Sequence, residues 1–150
     1  MGALSNLITT HDVKLSRPHL KFLSGNYLTF STKAKQSGGS SHCRICLDPS
    51  ETISHIITSC SGMAAERKKL LIEFKSLCKN TKNKINFNKI SEDEELLCQF
   101  ILDPSSLNLP ERVSINDPLL ANFFKMSRDY CYLIDKIRIK LLIEKTKSSL

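Results

Sequence analysis

The sequence predicts a small, mainly α-helical domain that ends in a long C-terminal helix, and three observations carry that expectation. Apolar residues recur at three- and four-residue steps from Met63 to Cys78 and again from Leu119 to Leu142, the period of a helix that buries one face. Helix-starting residues stand where those stretches need them, with Asp117-Pro118 before the last one and the capping box Ser91-Glu92-Asp93-Glu94 before another. Between them lie Cys43, Cys46, His55 and Cys60, spaced C-x2-C-x8-H-x4-C, which reads as a compact ligand set rather than as another regular element.

Taken in order, Ser16 is placed to cap a short helix whose first turn holds Arg17 and Pro18. Leu20, Phe22 and Leu23 form its apolar side and Gly25 its stop. Tyr27, Leu28 and Phe30 begin a second short helix, and Lys33 to Ser41 reads as a flexible, basic loop leading to Cys43. Ser50 caps a short helix carrying Ile53, His55, Ile56 and Ile57. Ser61 caps the amphipathic helix that follows, which runs to about Asn80 with Arg67, Lys68 and Lys75 on its polar face. Asn80 to Lys89 reads as a loop, extended around Ile85 and Phe87. The helix opened by the capping box buries Leu96, Leu97, Phe100, Ile101 and Leu102 and ends at Asp103-Pro104. An irregular connection from Ser105 to Ile115 precedes the last helix, expected from Pro118 to about Glu144, whose apolar stripe belongs to a core rather than to a cofactor box. Three segments result, 1–42 with the N-terminal helices and loop, 43–80 with the ligand set and basic helix, and 81–150 with the C-terminal helices, all in one compact domain.

The chain has 150 residues, enough for one domain with a modest core, and with no Trp and 7% aromatic residues that core is mainly aliphatic. Its apolar runs fall well short of the ~18 to 20 residues of a membrane span, and Met1 to Asn6 is not a signal peptide. Residues Gly2 to Asn6 resemble a myristoylation start, but no second anchor follows.

Two cysteines separated by two residues can grip one metal ion from a tight turn, and a His and a third Cys five apart are expected on roughly one face where that segment is helical. Three sulfurs and one nitrogen make a closed tetrahedral zinc site with no open position, so the expected role of Cys43, Cys46, His55 and Cys60 is structural. Other arrangements share this spacing: small buried thiols with a helix-face histidine, a Cys43–Cys46 disulfide, or His42 as an alternative ligand.

The net charge is +7 and is unevenly spread. Between Ser61 and Ile90 the basic residues Arg67, Lys68, Lys69, Lys75, Lys79, Lys82, Lys84 and Lys89 face only Glu66 and Glu73. From Ser91 to Leu120 the balance reverses, Arg112 standing against seven acidic residues. A basic block beside a zinc knuckle suits phosphate contact, and a solvated lysine face has the same composition. No Gly-rich phosphate loop is present, and Cys78, Cys98 and Cys131 fall on apolar faces as core residues. No enzymatic activity is expected of this chain by itself.

The chain resembles the region downstream of the polymerase domain in the reverse transcriptase polyprotein of non-LTR, LINE-like retrotransposons. The likeness rests on Leu15-Ser16-Arg17, Phe22-Leu23-Ser24-Gly25, Cys43 and Cys46, Glu51-Thr52 with His55 three further on, and Cys60 with Arg67 and Leu70 behind it. Gln99 to Ser106 and Ser127 to Tyr132 extend it into the tail. The resemblance implies a zinc-knuckle, nucleic-acid-binding accessory domain that positions template RNA or target DNA. The chain has no polymerase Asp-Asp motif and no endonuclease motif, which would make it a fragment, a decayed copy or a domesticated remnant.

The expected function is therefore nonspecific binding of RNA or DNA, with structural Zn2+ as cofactor. Arg44, Arg67, Lys68, Lys69 and Lys75 would meet phosphates and Lys79, Lys82 and Lys84 extend the patch. The polymerase part of a parent protein is a further partner, whereas no membrane and no small-molecule substrate is expected. The compartment is nuclear for target DNA or cytoplasmic for an RNA intermediate. The alternative is a zinc-stapled protein-interaction module that binds no nucleic acid.

Overall fold

The computed structural model describes residues 10–80, 85–106 and 118–148. Its α-helices are α1 (Thr10–Ser24), α2 (Phe30–Ser37), α3 (Ala64–Lys79), α4 (Phe87–Ser91), α5 (Glu94–Leu102) and α6 (Pro118–Ser148). A π-helical turn at His55–Ser59 and 3-10 turns at Ser61–Met63 and Pro104–Ser106 complete the order, with no strand among the described residues. The fold is mainly α, as the sequence predicts.

Several boundaries differ from expectation for identifiable reasons. α1 begins at Thr10 rather than at Ser16, so Pro18 lies inside the helix. Proline there removes one helical hydrogen bond, and the extensive packing of α1 on α6 holds the helix through that break. Gly25 ends α1 as expected, at φ 73°, while the amides of Asn26 and Tyr27 both bond back to the Lys21 carbonyl. Thr29, accepting from the Thr32 amide, caps α2. That helix runs through Ser37, so half of the expected flexible loop is helical. Asp93, not Ser91, caps α5 by accepting from the Leu96 amide at 3.1 Å; Ser91 ends α4 instead. The anticipated cap Asp117 and most of the connection before it fall outside the described residues, as do Lys82 and Lys84.

α6 is the spine against which α1, α3, α5 and the π-helical turn that carries His55 pack. An aromatic chain fills the centre: Phe74 meets Phe100 and Tyr130 edge-on at 5.8 and 5.9 Å, and Phe100 meets Phe123 at 5.5 Å. Cys78, Cys98 and Cys131 are buried among these side chains, the core placement expected of them. His19 Nε2 lies 2.6 Å from the Leu102 carbonyl and ties α1 to the end of α5.

A buried ion pair stands at the junction of three segments. Glu51, 0% exposed, takes Arg138 Nη2 at 2.8 Å and Nε at 3.3 Å, and its Oε1 also accepts the Phe30 amide at the start of α2. Its backbone is committed as well, the amide to the Ser41 carbonyl and the carbonyl to the Ser31 amide. Arg138 lies over Phe30 and Tyr27, 5.5 Å from each ring, and Tyr27 donates its hydroxyl to Asp135 at 2.6 Å. Burial, then that bond to Asp135, push the Tyr27 phenol well above its usual range, so it stays a proton donor.

Removing one partner of such a pair leaves a charge in the core without its counter-ion. Arg138→Met is expected to cost about 3–5 kcal/mol in denaturant unfolding. Arg138→Met with Glu51→Gln should cost less than the two single variants summed, because their losses are coupled. Additive costs would mean that the pair contributes nothing jointly.

Candidate metal centre

The ligand set is built on two turns. The first turn, Cys43 to Asp48, is closed by Leu47 N–H to the Cys43 carbonyl at 2.8 Å and by Cys43 N–H to the Asp48 carbonyl at 2.9 Å. Closure requires Leu47 at φ 67°, a left-handed backbone that a leucine adopts at a cost of about 1–2 kcal/mol. Its side chain projects into solvent, so the backbone alone explains its conformation. The second turn is the π-helix His55–Ser59, in which the Cys60 amide bonds the His55 carbonyl at 2.8 Å.

That π-turn solves a phase problem. At 3.6 residues per turn, positions five apart on a regular α-helix point about 140° away from each other. Widening the helix to an i to i+5 bond brings His55 and Cys60 round to the same side. Proximity of the two ligands was expected from the sequence; an ordinary helix would not have supplied it.

The four ligand atoms lie within 4.8 Å of one another, in positions that can hold a metal ion. Cys43 Sγ and Cys60 Sγ are 3.9 Å apart, and Cys46 Sγ and His55 Nε2 are 3.3 Å apart. Ordinary zinc bond lengths at tetrahedral angles give about 3.8 Å between sulfurs and about 3.6 Å from sulfur to nitrogen. The donor types and these two spacings are compatible with a metal ion held by the four residues. All six cysteines are free, which removes the Cys43–Cys46 disulfide, and His42 is exposed and bonded to Ser40 instead of joining the cluster.

The surroundings support bound thiolates and a fixed imidazole. Backbone amides of Cys46 and Ile45 donate toward Cys43, that of Asp48 toward Cys46 and that of Gly62 toward Cys60. Gly62 is required for packing, since a Cβ there would clash with the Ile45 side chain. His55 Nδ1 faces Ser59 Oγ at 3.4 Å, and Ser59 donates to Glu94 Oε1 at 3.0 Å. Such a relay fixes the ring with Nε2 toward the cluster. Arg67 Nη2 donates to the Cys60 carbonyl at 2.6 Å, and the Tyr130 hydroxyl donates to the Ile57 carbonyl at 2.6 Å, so core groups hold the π-turn at its middle and just beyond its end.

Without metal, burial pushes the Cys60 thiol up to about 12 and raises Cys43 as well. Burial acts to raise Cys46 too, but the Asp48 amide and the facing Cys43 and Cys60 thiols outweigh it and the net direction is down.

Of the residues proposed from sequence to meet phosphate, the structure places them unequally. Lys68, Lys69 and Lys79 are exposed on α3 and Lys75 is half-buried. Arg44 is exposed and stacks 4.4 Å over Phe30. Arg67 is a correction: it is only 6% exposed and turned into the core toward Cys60, so it supports the ligand turn and does not belong to the polar face. Glu51 and Arg138 were not anticipated as an ion pair. No protein-family model matches the chain, and neither a curated protein nor a solved structure does.

Two measurements test the centre. Cys60→Ser and His55→Ala should each reduce bound metal from about one ion per chain to near zero, with loss of helicity, by elemental analysis and circular dichroism. Persistent stoichiometric metal in both variants would remove these residues from the ligand set. Cys43 and Cys60 are thiols near neutral pH and must lose their protons to bind, so affinity should fall in acid and rise with pH. Competition titration should give a log affinity that climbs by at least about 2 per pH unit around neutrality, one proton for each of these two thiols.

Proposed function

We propose that the chain is a zinc-organised nucleic-acid-binding module of the kind that follows the polymerase domain in LINE-like retrotransposons, or a fragment or domesticated remnant of one. The observation that carries this reading is the Cys43–Cys46–His55–Cys60 cluster, with exposed lysines on the helix that leaves it. Three thiolates and an imidazole favour zinc among the common metals. A fourfold protein ligand set leaves no position for substrate, so zinc would act as a staple and the chain would carry no catalysis.

On this reading Lys68, Lys69 and Lys79, with Lys75 and Arg44 at the edges, contact phosphates of RNA or DNA without reading bases. Lys82 and Lys84 extend that patch in sequence. No helix among the described residues is long and apolar enough to cross a membrane. A nuclear site of action suits target DNA, and a cytoplasmic one an RNA intermediate.

One observation favours the alternative of a protein-interaction module. Ile72 is 59% exposed on α3 beside Leu71 and Phe87, in a groove of about 400 Å3 rimmed by Lys68 and Lys75. The polymerase part of a parent protein would be the natural occupant.

One variant tests the α3 face. Lys68→Ala with Lys69→Ala should weaken oligonucleotide binding several-fold and make its salt dependence shallower by roughly 1.5 in log–log slope, at about 0.7–0.9 per phosphate lost. Unchanged affinity at low and high salt would remove this face from nucleic-acid contact.

A further inference from the structure

A second groove, sharing no residue with the one on α3, runs between α1 and α6 and encloses about 400 Å3. Its walls carry Lys14, Arg17 and Lys21 from α1 and Lys136 from α6, and two tyrosines, Tyr27 and Tyr132, line it with them. We infer that this groove seats the backbone of a single-stranded nucleic acid, its phosphates paired with these four cations and a base laid against Tyr132. The inference rests on the reading of the chain as a nucleic-acid binder and assigns that function a site away from α3.

The spacing on α1 is the first reason. Positions 14, 17 and 21 are three and four residues apart, so the side chains form one exposed stripe about 10 Å long at 1.5 Å per residue. Like charges at those intervals repel each other along the helix. Among the described residues no ion pair relieves them, whereas Arg128 has Asp129 and Arg138 has Glu51. An anion bound along the stripe removes the repulsion.

The second reason is what the groove's carboxylate does. Asp135 is directed to the Tyr27 hydroxyl at 2.6 Å instead of forming an ion pair with one of the lysines. Tyr27 in turn lies 3.5 Å from Arg138 Nη1, whose other nitrogens hold Glu51 in the loop between the metal ligands. The groove floor is thus fixed by the same buried network that fixes the ligand loop.

The third reason is the aromatic surface. Tyr132 is half-buried, so its ring is held in place, and Lys136 lies 5.4 Å over it. Cations tracking a backbone beside an aromatic platform are the composition of single-strand binding grooves. A protein partner would look for a desolvated apolar centre, and four cations around two tyrosines do not supply one. A duplex presents its phosphates on a broad convex surface and does not enter a cleft between two packed helices.

The test uses the full, metal-loaded chain and fluorescence anisotropy with labelled oligouridylate, the matching single-stranded DNA and a DNA hairpin. Lys14→Ala/Arg17→Ala/Lys21→Ala changes exposed helical positions to the best helix former, and metal content and circular dichroism establish that it folds. This variant should bind the single strands at least about tenfold more weakly, with a salt slope shallower by about 2 for three lost phosphate contacts. Tyr132→Ala should weaken single-strand binding while leaving the slope unchanged. Full affinity in the triple variant, together with loss in Lys68→Ala/Lys69→Ala, would overturn the groove and leave the proposed function standing. A wild type that retains none of the probes would overturn the proposed function and the groove with it. Displacement of the oligonucleotide by polyglutamate as readily as by unlabelled strand would assign the groove to an acidic protein instead.

Discussion

The arrangement depends on a charge that has been taken out of water. Glu51 sits between Cys46 and His55 in sequence and is fully buried. A carboxylate in that position is tolerable only when nearly every lone pair is used, and here Arg138 and the Phe30 amide use them. The consequence is positional. The ligand loop, the start of α2 and the middle of α6 cannot be displaced separately, because any such movement leaves a buried ion unpaired. Arg138 meets the loop 87 residues away in sequence, so this single contact closes most of the chain into one body.

The metal cluster is continuous with the hydrophobic core. Cys43, Cys60, Ile56, Ile57 and Met63 are all buried and belong to the cluster that contains Phe74, Phe100 and Tyr130. The π-turn that brings His55 and Cys60 together also supplies the carbonyls that Arg67 and Tyr130 grip. Such a turn has poorer hydrogen-bond geometry than an α-helix and persists where surrounding contacts over-determine it. Core packing and metal ligation therefore specify the same local backbone, and metal binding is expected to be coupled to folding.

Much of this was legible in the sequence because it rests on short-range signals. Pro118 and the apolar period gave α6, Gly25 gave the end of α1, and ligand spacing gave the cluster. What could not be read depended on tertiary contacts. Pro18 looks like a first-turn residue, and only the packing of α1 on α6 explains why helix precedes it. Arg67 falls among basic neighbours on a polar stretch, yet the Cys60 carbonyl draws it inward. Glu51 was visible only as one element of a family resemblance, since its partner lies in another helix. Leu47 carries no sign of a left-handed backbone, because leucine is chosen for such positions only when the turn demands it. The stripe Lys14, Arg17, Lys21 is not legible in a helix that starts at a Ser16 cap, because its first member precedes that cap.

These features would give a metal bound by the four residues more than a local effect. From the ligand loop the path runs through Glu51 to Arg138, from Arg138 to Tyr27 and from Tyr27 to Asp135 in the groove between α1 and α6. Each step is a hydrogen bond or ion pair among buried or half-buried groups, and each would be costly to leave unmade in a low-dielectric interior. A change in the ligand loop thus has a physical route to the floor of the basic groove without any ligand being shared.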